Sequence, residues 1–292
     1  MRLRTIERIL TECNYVYSII TPSQFFKNKS NTNFELGVIS SFTNSWIAPW
    51  LKQSTSRLWL DAMDSKTMLR KTHARTFQKQ FIVNIRDFIG TMSAYDLITF
   101  ISEQDQSQEK ANYTSSRNLV FPINLENLPP VNPSEFRKLV FVGPARYKPN
   151  LDAVRSLNQL LMKNHITKPI DIYGEGYNTI KSNWHELMNF KGFVQEKFLY
   201  GSSDIHLAPL FSGAGIKMKV VIPFALGLQV IGTKLAFNGL HSHPNLIEID
   251  KIENLPEAIL KLDLLHKAEA PALDSIFTCD QTAQITDWLS NY

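Results

Sequence analysis

The chain has 292 residues, 43% hydrophobic and 20% charged, with 14 Pro, 12 Gly, 2 Cys and a net charge of +4. That length suits two domains of roughly 150 residues each, and so ordinary a composition excludes collagen-like, coiled-coil and largely disordered chains. Cys13 and Cys279 make no CxxC pair, no apolar run reaches the roughly 18 residues of a membrane span, and MRLRTIERIL has no signal-peptide core. The expectation is a cytoplasmic protein in a reducing compartment.

In chain order, a helix is expected from about Leu3 to Glu12, then strands at Tyr15–Ile20, Leu36–Ile39 and Leu58–Ala62. A long basic helix follows over Lys66–Met92, broken near Gly90, with strands at Leu97–Ile101 and Leu119–Pro122. Residues 1–137 hold 16 Lys+Arg against 12 Asp+Glu, while the remainder balances at 15 of each. The surplus crowds at Lys52, Arg57, Lys66, Arg70, Lys71, Arg75, Lys79 and Arg86. Such a face can attract an anionic membrane peripherally, or is a solvated helix surface; no aromatic–basic reader motif points to nucleic acid.

Three prolines in NLPPVNPSEFR (127–137) mark a break, dividing the chain into domains at 1–130 and 131–292. Lys138–Val142 then reads as a buried parallel strand ending at Gly143, and a helix with apolar positions at Leu151, Val154, Leu157, Leu160 and Leu161 starts after Asn150 as N-cap. Ile170–Tyr173 is a strand before the turn Gly174–Gly176, Asn178–Met188 a polar helix, and Phe190–Val194 and Asp204–Leu210 two more strands. After the loop Phe211–Gly215 a helix begins near Ile216, and the series closes with strands at Val230–Gly232 and Leu246–Ile249 and helices at Pro256–Leu265 and Thr282–Leu289. The last helix is expected to pack back on the first domain. This rhythm predicts two doubly wound parallel α/β domains, with ligands beyond the carboxyl ends of the strands, in a cleft between the domains.

The stretch Ala208–Val221 (APLFSGAGIKMKVV) carries the chemistry. A strand runs into two glycines spaced one apart, Gly213 and Gly215, and a helix opens with Lys217 and Lys219 in its first turns. Unpaired amides at a helix start attract an anion, and glycines let the backbone approach it closely. Residues two apart on a helix point in different directions, so one lysine at most faces the anion squarely. On spacing alone, GxG reads equally as a structural loop.

The order of the neighbouring segments resembles the C-terminal, nucleotide-sugar-binding domain of GT-B glycosyltransferases, particularly family 4 and its relatives in bacterial polysaccharide synthesis. Phe141–Asn150 (FVGPARYKPN) is similar to the family's FxGxxxxxPN, Gly192–Val194 to its G-F/Y-V, Asp204–Leu210 to its aDvxvxPl, and Gly213–Ile231 to its GSGTRLKxLEAMAxGxPVV. The resemblance implies a donor site from Gly143, Arg146, Lys148, Phe193, Val194, Phe211, Ser212, Gly213, Ala214, Gly215 and Ile216, with Lys217 and Lys219 as the catalytic cations. Ile222 stands where the family carries the Glu that holds the donor ribose, and Pro223 where it has Ala. The first half is more faintly similar to the partner domain, at Asp61–Ser65, Phe100–Glu103 and the helix Arg2–Leu10. It lacks the strand and glycine-rich loop that precede that helix in the family, implying a first domain short of its first strand.

Among seven histidines no metal spacing occurs; His241 and His243 read as a solvated loop, and His73 is the one histidine of the first domain, where the family often contacts the donor sugar. The expectation is therefore a retaining glycosyltransferase without metal or other cofactor. It would move a sugar from a nucleotide-diphosphate sugar to a saccharide or lipid-linked acceptor in cell-surface polysaccharide synthesis. The alternative, motivated by Ile222 and Pro223, is a catalytically degenerate partner or scaffold protein.

Overall fold

The computed structural model describes residues 2–27, 33–63, 85, 88–90, 93–123, 125, 127–134, 137–180, 182–264 and 268–291. The expected helix over Lys66–Met92 lies almost wholly outside these residues, as do Asp64, His73 and His266. The chain forms two compact units, one from Met1–Asn124 together with Cys279–Tyr292, the other from Leu125–Thr278. Among the described residues no helix is long and apolar enough to cross a membrane.

The first unit is built on a parallel sheet of β1 (Phe34–Ser40), β2 (Thr55–Met63), β3 (Leu97–Phe100) and β4 (Arg117–Val120), ordered β1-β2-β3-β4. Successive side chains of a strand face opposite layers. Thus Leu58 and Leu60 pack against Ile39, Phe42 and Phe100, while Trp59 between them faces Ile9, Leu10 and Trp288 on the other side. That second layer consists of α1 (Arg2–Glu12) and the C-terminal α8 (Thr282–Ser290). Short helices α2 (Pro22–Lys27), α3 (Ala48–Lys52) and α4 (Glu103–Glu109) complete the connections; Ser102 caps α4, its Oγ accepting the Asp105 amide at 3.2 Å. Arg57 on β2 is buried beneath Trp288, its guanidinium 5.0 Å from the ring centroid; it donates to the Trp288 carbonyl at 3.2 Å and to Glu35 at 2.9 Å.

One expectation for this unit changes. Tyr15–Ile20 is irregular and pairs with no strand among the described residues: Val16, Ile19 and Ile20 are exposed, while Tyr15 Oη is bonded to Glu35 (3.0 Å) and the Leu289 carbonyl (3.2 Å). Asp61 is fully buried, accepting from Thr99 Oγ1 at 2.8 Å, and Thr99 in turn receives the Trp59 indole N–H at 2.9 Å.

The second unit has six parallel strands, β5 (Leu139–Val142), β6 (Ile170–Tyr173), β7 (Met188–Gly192), β8 (Ile205–Ala208), β9 (Gln229–Gly232) and β10 (Leu246–Glu248), ordered β10-β9-β8-β5-β6-β7. The first strand in sequence lies beside the fourth, Val140 opposite His206, so the winding reverses between β5 and β8. Three longer helices flank this sheet in sequence: α5 (Lys148–Met162), α6 (Met218–Ala225) and α7 (Leu255–Leu264).

Local chemistry explains where the elements depart from the expected limits. Helix α5 starts three residues early, with Tyr147 at the N-cap position and Pro149 in its first turn, so Asn150 is inside the helix and is not its N-cap. Among the described residues the expected helix Asn178–Met188 is absent apart from a 3₁₀ turn, Tyr177–Thr179. Asn158 on α5 holds that segment irregular, donating to the Asn183 carbonyl (3.0 Å) and accepting the His185 amide (2.7 Å). Helix α6 starts at Met218, not Ile216, with Lys217 as N-cap and Pro223 as its sixth residue, which leaves the Lys219 carbonyl without an in-helix donor.

Candidate functional site at the winding reversal

Two loops leave the carboxyl ends of the adjacent strands β5 and β8. The first, Gly143 to Tyr147, is fixed at its base: the Gly143 amide donates to Tyr173 (2.8 Å), its carbonyl accepts from Tyr177 Oη (2.9 Å), and the Ala145 amide reaches Glu175 (2.9 Å). The second runs from Pro209 to Lys217. They meet through their glycines. A Cβ on Gly213, whose φ is +125°, would lie 3.0 Å from Tyr147 Oη; one on Gly143, φ +151°, would lie 2.6 Å from Lys219 Nζ and closer still to Asn150. A larger residue at Gly213 crowds Tyr147 of the other loop, and one at Gly143 collides with Asn150 of α5 and Lys219 of α6.

The backbone of the second loop is short of acceptors. Val220 and Val221 are the first helical amides with a partner, both at the Lys217 carbonyl (2.8 and 3.0 Å). The amides of residues 211–216, 218 and 219 donate to no acceptor among the described residues, although Gly213 to Ile216 are buried. Buried N–H groups need a partner, and a cluster of them at a helix start is suited to an anion.

Lys217 and Lys219 do different work. Lys217 is 8% exposed and turns its ammonium back on its own loop, donating to the Ala214 carbonyl at 2.9 Å and to that of Gly215. In a trans peptide the carbonyl and the following N–H point in opposite directions, so this contact aims the Gly215 and Ile216 amides away from Lys217. Lys219 reaches across to the first loop: its Nζ donates to Asn150 Oδ1 and sits 4.5 Å from the Phe141 ring centroid. Burial, and then the nearby Lys217 charge, pull its pKa down to about 7.

The other candidate residues are dispersed. Arg146 is exposed beside the first loop; Lys148 is exposed and paired with Asp152 one turn along α5. Phe211 (53% exposed) and Phe193 (76%) are open aromatic faces at the carboxyl ends of β8 and β7, while Ser212 and Val194 are half-buried. Ile222 is only 3% exposed and packs with Val140, Leu199, Tyr200 and Leu228, so it is a core residue and offers nothing to a ribose. Asn150 is what the sequence reading missed as a site residue. The signal was Pro149: proline favours the first turn of a helix, which moves the cap upstream and frees Asn150 for another task. Among the described residues no three His, Cys, Asp or Glu side chains gather as metal ligands.

No family model and no curated protein matches the chain. Solved structures do. A sucrose-phosphate synthase from Thermosynechococcus elongatus superposes with a TM-score of 0.60 at 13% identity over 83% of this chain and 66% of its own. TarM gives a TM-score of 0.53 at 14% identity over 82% of this chain and 50% of its own. This chain therefore spans about two thirds of the first structure and half of the second. At such identities the likeness is one of fold: two parallel α/β sheets, as in GT-B glycosyltransferases.

Proposed function

We propose that the second unit binds a nucleotide-diphosphate sugar and that the protein is a glycosyltransferase. The observation that carries this reading is the run of acceptor-less buried amides from 213 to 216, with Lys219 beside it, at the reversal between β5 and β8. In open α/β sheets that crevice is the usual ligand site. The fold shared with the sucrose-phosphate synthase and TarM supports the same class.

In this reading the diphosphate lies against the Gly213–Lys219 backbone. As the bond between sugar and diphosphate breaks, negative charge grows on the leaving phosphate oxygen, and the amides and the Lys219 ammonium are already oriented to receive it. A pre-aimed donor of this kind is worth about 3 kcal/mol in the transition state. Lys217 would act less as a direct ligand than as the group that keeps the loop amides aimed. Phe193 and Phe211 are the exposed faces on which a base can stack. With Ile222 in the core, the ribose hydroxyls need an acceptor other than the family's Glu. Retention of configuration and a saccharide or lipid-linked acceptor belong to this proposal through the sequence resemblance.

Calorimetry with UDP-, GDP- and ADP-sugars on the folded protein tests it. Binding of one of them, lost on Lys219→Met, is the expected result; failure of all three to bind refutes a working donor site.

A further inference from the structure

We propose that Asn150 is a positioning residue of this site: a single carboxamide that fixes both the Lys219 ammonium and the turn after β5. The inference rests on the reading of the two loops as an anion site. Asn150 is buried within α5; its Oδ1 accepts from Lys219 Nζ, and its Nδ2 donates to the Pro144 carbonyl at 3.0 Å. An ammonium can only donate and a carbonyl can only accept, so the carboxamide has one permitted orientation. Its backbone is held as well, the amide donating to the Tyr147 carbonyl at 2.9 Å. Phe141, Gly143 and Asn150 thus enclose the head of Lys219 from β5 and α5.

A neutral acceptor is the group this position requires. An apolar residue would strip both the ammonium and the Pro144 carbonyl of a partner. A carboxylate would neutralise Lys219, repel the Pro144 carbonyl and oppose an arriving diphosphate. The charged group acting on Lys219 is Lys217 on its own segment, which disfavours protonation as burial does. The elements packed against it present Phe141 and Asn150, which carry no charge, and the Asn150 oxygen dipole favours the protonated form that an anion needs.

The test follows the Lys219 Cε resonance in full-length protein carrying ¹³C-lysine, identified by its loss in Lys219→Arg. The wild-type midpoint is expected near pH 7. Asn150→Asp should raise it by about one unit or more, a tenfold gain in proton affinity, and Asn150→Ala should lower it. In parallel, calorimetry at pH 6.5 with UDP-glucose, GDP-mannose and ADP-glucose should show each variant binding about tenfold more weakly, as expected for a lost hydrogen bond to a charged group. Asn150→Ser supplies the comparison if either variant fails to fold. Coincident midpoints in wild type and variants overturn the positioning role whether or not a nucleotide sugar binds. Shifted midpoints with no binding by any of the three uphold that role and overturn the ligand reading instead.

Discussion

His206 stands in the middle of β8, opposite Val140 on one side and Val230 on the other, and is 1% exposed. Its ring lies 5.4 Å from that of Tyr200, and neither ring nitrogen has a hydrogen-bond partner among the described residues. Burial alone pushes its pKa down to about 3, so the folded protein keeps the imidazole neutral, whereas the unfolded chain protonates it below pH 6.5. Above pH 6.5 both states are neutral and the group contributes no pH dependence. As the pH falls from 6.5 towards 3 only the unfolded state gains the proton, and stability is lost. Two units of that interval, down to pH 4.5, amount to about 3 kcal/mol. His206→Leu removes the titration at similar volume and removes two unpaired polar atoms. It should be at least as stable as wild type at pH 7.5, and should lose about 3 kcal/mol less on going to pH 4.5. Urea unfolding read by pulsed hydrogen exchange on peptides from β5 and β8 isolates the second unit. Parallel losses in the two proteins would refute the buried, unpaired imidazole.

Other perturbations separate the site from the scaffold. Because Lys219 titrates near pH 7, nucleotide-sugar affinity measured by calorimetry between pH 6 and 9 should be highest below that pH and fall by up to about tenfold per unit above it, a slope that Lys219→Arg, charged throughout, should flatten. Gly213→Ala must place an L residue at φ +125° against Tyr147 Oη, which should cost about 1–3 kcal/mol and weaken nucleotide-sugar binding; an unchanged melting temperature and affinity would contradict the loop contact. Arg57→Met leaves the Trp288 carbonyl without this donor, so stability should fall by about 1–3 kcal/mol and hydrogen exchange in residues 282–290 should accelerate before the rest of the unit.

The second unit was largely legible because its inner strands are buried on both faces. Leu139–Val142 is a short unbroken apolar run bounded by Gly143, and Ile170–Tyr173 is apolar apart from Asp171 and bounded by Gly174; the backbone has few other ways to bury them. The glycine loop was legible for a related reason: its glycines and lysines mark a strand-to-helix turn whatever the rest of the molecule does. What local pattern cannot supply is the partner from a distant segment. Asn158 overrides a helical pattern at 183–185, Asn150 meets Lys219 from 69 positions away, and Ile222 faces a core assembled with Val140, Leu199, Tyr200 and Leu228 from three other segments. Tyr15–Ile20 misled for the opposite reason: β propensity is realised only where a neighbouring strand or layer is present, and the described structure gives it neither.

The division of the chain has a consequence for how it is made. Ile285, Trp288 and Leu289, which pack on one face of the first sheet, leave the ribosome after every residue of the second unit. The six-stranded unit is one uninterrupted segment and can complete itself during synthesis, whereas the earlier half must wait with Trp59 and Leu97 covered by α1 but not by α8 until the latter arrives. A nascent chain stalled ahead of residue 279 should thus engage chaperones through its older portion, not its newer one.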